Sequence, residues 1–232
     1  MNTMPRLAAL AAAALVATAC TYRQPAGNLV SQRLTWFSYL GAEDIRAACG
    51  PRTPTRYRLV YNADFVKQAR GYDVWDTRDG AVIDQVVDRG LTLARDTPVA
   101  EIGVPVRARA RLDAAEFEQF RALLRASGAF EPPPVGLRLN SRGYYWVVGG
   151  CHEGRFFLTG YDYPSARFER IRFAEFLAAR DRTGVAYPRL PEPGLARFEA
   201  RCARVRGGTP DNPICFEVEI GADGLVGLNT FD

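Results

Sequence analysis

The chain is poor in the residues that usually announce chemistry. It has one histidine, His152, one lysine, Lys67, and two methionines in 232 residues. A single histidine excludes metal sites built from several imidazoles, and excludes any Ser-His-Asp triad that does not use His152. The patterns C-x-x-C, G-x-S-x-G, G-x-G-x-x-G and the phosphate-cradling G-x-x-x-x-G-K-[ST] are missing from the sequence. Redox-dithiol, α/β-hydrolase, dinucleotide and P-loop chemistries therefore have no support here. No cofactor is expected. Net charge is only +4, too small a basic excess to argue for nucleic acid. With lysine almost absent, basic charge rests on arginines scattered along the chain. That is what an Arg- and Ala-rich codon usage gives, so guanidinium recognition is read only where geometry gathers them.

The head of the chain, MNTMPRLAALAAAALVATAC, carries a positive residue, Arg6, and an apolar run from Leu7 to Ala19. Ala17 and Ala19 take the A-x-A places before a cut. A spanning helix needs about 20 apolar residues, and this run falls short. Residues 1–19 are thus expected to be a signal peptide and are excluded from fold reasoning. The run ends at Cys20. "LVATAC" resembles the lipobox of bacterial lipoproteins, in which small residues precede a cysteine that becomes diacylated. Ala17 stands where that family prefers leucine. The resemblance implies a lipid anchor on Cys20. With Thr21 rather than aspartate next, it also implies transport to the outer membrane, the body facing the periplasm. Plain cleavage after Ala17-Thr18-Ala19, leaving a soluble periplasmic or secreted protein, is the other reading of the same residues. "TYRQPAGN" reads as a flexible leader.

Four further cysteines, Cys49, Cys151, Cys202 and Cys215, form an even set in an exported chain, which points to disulfides. Cys202 and Cys215 flank the Gly/Pro/Asn loop "ARVRGGTPDNPI", and closing it is geometrically easy. That leaves Cys49 with Cys151, a staple between the N-terminal arm and the middle of the body. Four free thiols is the alternative.

Apolar content of 47% and charged content of 24% are those of a globular protein, which disfavours disorder. The organisation expected is a tether and N-terminal arm over 20–56, then one globular domain over 57–232. A short helix is expected near Ala42 to Ala48, ended by Cys49-Gly50. "RYRLVYNADF" reads as a strand, and "GYDVWDTRDGAVIDQVV" as a hairpin about Asp79-Gly80. "VPVRARARL" alternates, with Val104, Val106, Ala108 and Ala110 on one face and Arg107, Arg109 and Arg111 on the other. The period then changes. Phe117, Phe120, Leu123 and Leu124 share a helical face. Asp113 and Glu116 make a capping box, and Gly128 a left-handed stop. A second hairpin turns at His152-Glu153-Gly154. Ser165 is placed to cap a second helix through "ARFERIRFAEFLAARD", and a third hairpin closes the chain around Ala222-Asp223-Gly224. The fold class is α+β, a mainly antiparallel sheet built of hairpins with two principal helices.

Few constellations carry chemistry. Cys151-His152 is read as a half-cystine beside a turn histidine, because neighbours on a strand point to opposite faces. Asp73, Asp76, Asp79, Asp84 and Asp88 read as a turn residue and solvated hairpin positions. An envelope hydrolase using unidentified carboxylates is the alternative function. Tyr144 to Trp146 and Tyr161 to Tyr163 read as sheet core before they read as a sugar-stacking surface. The row Arg107, Arg109, Arg111 projects cations about 7 Å apart on one strand face, which makes it a candidate contact for an anionic envelope component. A solvated edge strand is the competing account. The function expected is a lipid-anchored envelope protein with a non-catalytic binding or assembly role.

Overall fold

The computed structural model describes residues 36–65, 67–89, 104–194 and 216–230. Residues 36–40 are helical and lead into α1 (Glu43–Ala48). Alternating apolar residues then build a meander of β1 (Arg56–Ala63), β2 (Gln68–Thr77), β3 (Gly80–Asp88) and β4 (Val106–Asp113). The β2–β3 loop is Arg78-Asp79, flanked by the Thr77↔Gly80 pair, and the positive φ falls on Gly80 alone. Helix α2 (Ala114–Ala126) follows directly. Its capping box is formed as expected, with Glu116 N–H donating to Asp113 Oδ1 at 2.8 Å and Asp113 N–H donating to Glu116 Oε2 at 3.1 Å.

After β5 (Arg138–Asn140) comes the aromatic hairpin β6 (Tyr144–His152) and β7 (Arg155–Tyr163). Its two-residue loop, Glu153-Gly154, has φ of 51° and 74°. That left-handed pair is the turn whose twist matches flanking strands. Then come α3 (Ala166–Glu169), α4 (Phe173–Ala179), β8 (Phe216–Ile220) and β9 (Leu225–Thr230). The described residues therefore form an antiparallel six-stranded sheet in the order β4-β3-β2-β1-β6-β7 and a three-stranded sheet β5-β8-β9. The α+β class stands.

The second expected helix departs from expectation by breaking into α3 and α4. At 100° per residue, Phe173 lies about 140° round the helix from Phe168. A continuous helix would turn one of them away from the core. The break at Arg170–Arg172, where Arg172 N–H donates to Ser127 Oγ at 2.9 Å, re-aims Phe173. Its ring meets Trp146 edge-on at 5.3 Å and Tyr161 at 5.8 Å.

Both faces of the large sheet are covered over much of their area. On one, Tyr57, Leu59, Tyr72, Ile83, Trp146 and Tyr161 pack against Phe117, Phe120 and Leu124 of α2 and Phe173 and Leu177 of α4. On the other, Val60, Tyr145, Val147 and Leu158 pack against Leu40 and the small sheet's Leu139, Phe216, Val218 and Ile220. The hairpin aromatics are core on both sides, Trp146 and Tyr145 being 2% and 1% exposed.

Candidate functional site

Cys49 is the C-cap of α1, and Cys151 is the last buried residue of β6. The two are joined in a disulfide with Cα atoms 5.5 Å apart. The bond ties the N-terminal helices to the C-terminal end of β6, next to edge strand β7. Cys20, Cys202 and Cys215 lie outside the described residues, and with them the lipid anchor and the second pairing.

The arginine row lies on β4, an edge strand. Arg107, Arg109 and Arg111 are all exposed, opposite Val86, Asp84 and Val82 of β3. Paired residues of an antiparallel ladder share a face, and the Arg109 Nε to Asp84 Oδ1 contact at 2.5 Å confirms it here. One strand further in, Val82 pairs with Trp75, which is 40% exposed and carries the Arg56 guanidinium at 3.6 Å from its ring centre. The patch thus combines a row of cations, partly exposed valines and a tryptophan about 10 Å from Arg111, two strand spacings away. Arg109 differs from the sequence expectation of a solvated cation, since Asp84 engages it.

The helical residues 36–40 lie on the same face. Trp36, the first described residue, packs against Phe65 at 5.2 Å, and Tyr39 follows one turn later. Tyr39 lies against Gly71, where an added Cβ would meet its hydroxyl and the Val86 side chain. Val86 is the cross-strand partner of Arg107. Arg58, 4% exposed, holds this helical arm down. Its Nη1 donates to Asp44 Oδ1 at 2.6 Å and its Nε to Asp73 Oδ1 at 2.8 Å, with the guanidinium 4.1 Å over the Tyr39 ring. Burial works against the Asp44 anion, but the hydrogen bonds and charge of Arg58 and Arg56 outweigh it and hold the carboxyl below its ordinary range.

A second buried guanidinium, which sequence reasoning missed, sits under the opposite face. Arg70 is 1% exposed. It pairs with Asp181 at 2.7 Å, donates to Gln68 Oε1 at 2.6 Å and to the Val185 carbonyl, and lies 3.9 Å over the Tyr187 ring. Tyr72 O–H donates to Asp181 Oδ2 at 2.6 Å and contacts the Tyr187 hydroxyl. Burial again opposes the Asp181 charge, and hydrogen bonds from Thr183 and Tyr72 with the Arg70 charge hold it below the usual carboxylate range. The network staples residues 180–187 across the sheet. Asp73, Asp84 and Asp181 each face an arginine.

His152 ends β6 beside a shallow depression of about 540 Å³ lined by Phe130, Glu153, Arg155, Phe156 and Phe157. Its Nδ1 is 2.8 Å from the hydroxyl of buried Tyr57, and its ring stacks on Phe130 at 4.1 Å and 10°. Cys151 points the other way, into its disulfide, so the two neighbours do not form a thiol–base pair. Desolvation and the charges of Arg121 and Arg125 push the His152 pKa below its ordinary value, against the pull of Glu153. Burial pushes the Tyr57 phenol up. With the Tyr57 phenol donating, His152 Nδ1 accepts and the imidazole proton sits on Nε2. Nothing in the local sequence distinguished this histidine beyond its being the only one.

Among the described residues, no group of three metal-ligating side chains comes together, and no helix is long and apolar enough to cross a membrane. No known family, no curated protein and no solved structure matches the chain.

Proposed function

We propose that the protein is an exported, lipid-anchored envelope protein with a non-catalytic binding role. Its arginine face rests on the anionic surface to which Cys20 ties it, at the outer membrane on the periplasmic side. The observation that carries this reading is the coincidence of two features on one sheet face: the row Arg107, Arg109, Arg111 with Trp75, and the helical residues Trp36 to Tyr39. The segment from Cys20 to Trp36 reaches at most about 55 Å, which is long enough for this face to meet the membrane. The Cys49–Cys151 bond supports export, because such bonds persist in oxidising compartments.

Two measurements test it. A fatty-acid probe fed to cells is expected to label the wild type and not Cys20→Ser; an unlabelled wild type removes the anchor. The anchor-free body is expected to sediment with vesicles containing anionic lipid at low salt, and less at physiological salt. The triple variant Arg107→Gln, Arg109→Gln, Arg111→Gln should bind between one and two orders of magnitude more weakly. Equal binding by both proteins, or none by the wild type, rejects the face.

A further inference from the structure

The depression beside His152 is absorbed neither by the proposed anchoring nor by the core. Its most constrained feature is one hydrogen-bond donor. The buried Tyr57 hydroxyl has His152 Nδ1 as its one side-chain partner among the described residues; with the phenol donating, Nδ1 accepts, and Phe130, itself braced edge-on by Phe157 at 5.0 Å, fixes the ring plane. The Nε2–H is thereby aimed, and the nearest carboxylate oxygen, Glu153 Oε1, stands at 3.9 Å, outside hydrogen-bond reach. The donor is held in place without an acceptor among the described residues. Its cross-strand partner is Arg155, whose side chain shares that face within about 5 Å. Arg155 is exposed and forms no ion pair with any described residue. Arg121 and Arg125 of α2 add positive potential at the imidazole. The rings on this side are Phe130 and Phe157; Phe156 also borders the hollow, with its ring packed on the opposite face of the sheet.

A donor, a guanidinium and an aromatic wall in one hollow complement an anion with an apolar body. We infer that this depression binds a small organic carboxylate with an aromatic or branched apolar tail, its oxygens on His152 Nε2–H and Arg155 and its tail against Phe130 and Phe157. Glu153 is the opposing group. Its side chain is 75% exposed, on a turn that lets it swing to solvent when an anion takes its place.

The only histidine of the chain gives one imidazole signal, which makes the site readable by NMR. 3-Phenylpropionate is titrated into the anchor-free protein, with 3-phenylpropionamide as the uncharged control. The acid is expected to shift the His152 resonances saturably, with the amide weaker by about tenfold or more. Arg155→Gln is expected to weaken the acid by about five- to tenfold, while Glu153→Gln tightens it. Neither substitution touches the core, so both proteins should keep the wild-type spectrum elsewhere. A shift that fails to saturate by about 10 mM, or acid and amide binding alike, overturns the inference. Unchanged binding by Arg155→Gln overturns the assigned guanidinium.

Discussion

Arg70, Arg58 and Arg111 carry the same guanidinium in different surroundings, and the surroundings decide what each does. Arg70 is enclosed, with a carboxylate, an amide oxygen, a carbonyl and a ring around it. Removing it takes the guanidinium from the buried Asp181 carboxylate, which keeps only hydrogen bonds from Tyr72 and Thr183 among the described residues. Arg70→Met is therefore expected to lower the unfolding free energy by about 3–5 kcal/mol in urea denaturation. Arg111→Gln, on an exposed strand face, should leave the midpoint in place. Equal midpoints for Arg70→Met and wild type would show the buried pair to be replaceable by packing alone. Neither buried arginine was legible in the sequence. "RYRLVY" places Arg58 on a regular alternation, and only its long-range partners, Asp44 and Asp73, show that its face is covered. Arg70 depends on Asp181, more than a hundred residues away. The arginine row was legible because a strand's period alone puts three residues on one side, though the pairing of Arg109 with Asp84 was not.

At the scale of elements, local signals carried far and then stopped. The capping box of α2, the left-handed Gly128 at φ 74° and the Glu153-Gly154 turn are short-range devices, and each stands where the sequence puts it. The break between α3 and α4 was hidden because "ARFERIRFAEFL" has helical residues throughout. What interrupts it is the demand of the Trp146 and Tyr161 rings for Phe173. The Cys49–Cys151 bond followed from an even count and a favoured neighbour pair. Its weight comes from the 102 residues it spans: on the chain-entropy account, closing a loop of that size stabilises by about 4–5 kcal/mol. The double variant Cys49→Ser, Cys151→Ala is expected to lose about 2–5 kcal/mol in denaturant unfolding. It should also show faster hydrogen exchange in α1 than in α2, because only α1 is tied by the bond. Uniform exchange in both helices would contradict this role for the staple.

For the whole molecule, the sheet divides labour between its faces. One is closed by α2, α4 and the Arg70-bound segment. Among the described residues, the other is closed over β1, β6 and β7 by the N-terminal helices and the small sheet, with Tyr39 reaching over Gly71 to Val86; Trp75, Val82 and the arginine row stay partly or fully exposed on the rest of it. A body hung from Cys20 would meet an anionic surface with that exposed part, its cations on the head groups and Trp75 at the interface, where tryptophan is favoured. The most direct test is quenching of Trp75 by brominated anionic lipid. Its signal is isolated as the difference between wild type and Trp75→Phe, since the other two tryptophans, Trp36 and Trp146, are common to both. Strong quenching of the difference signal is expected in anionic vesicles, and its loss when Arg107, Arg109 and Arg111 are all glutamine. A Trp75 signal that brominated lipid leaves unquenched, in protein that has sedimented with the vesicles, would contradict it.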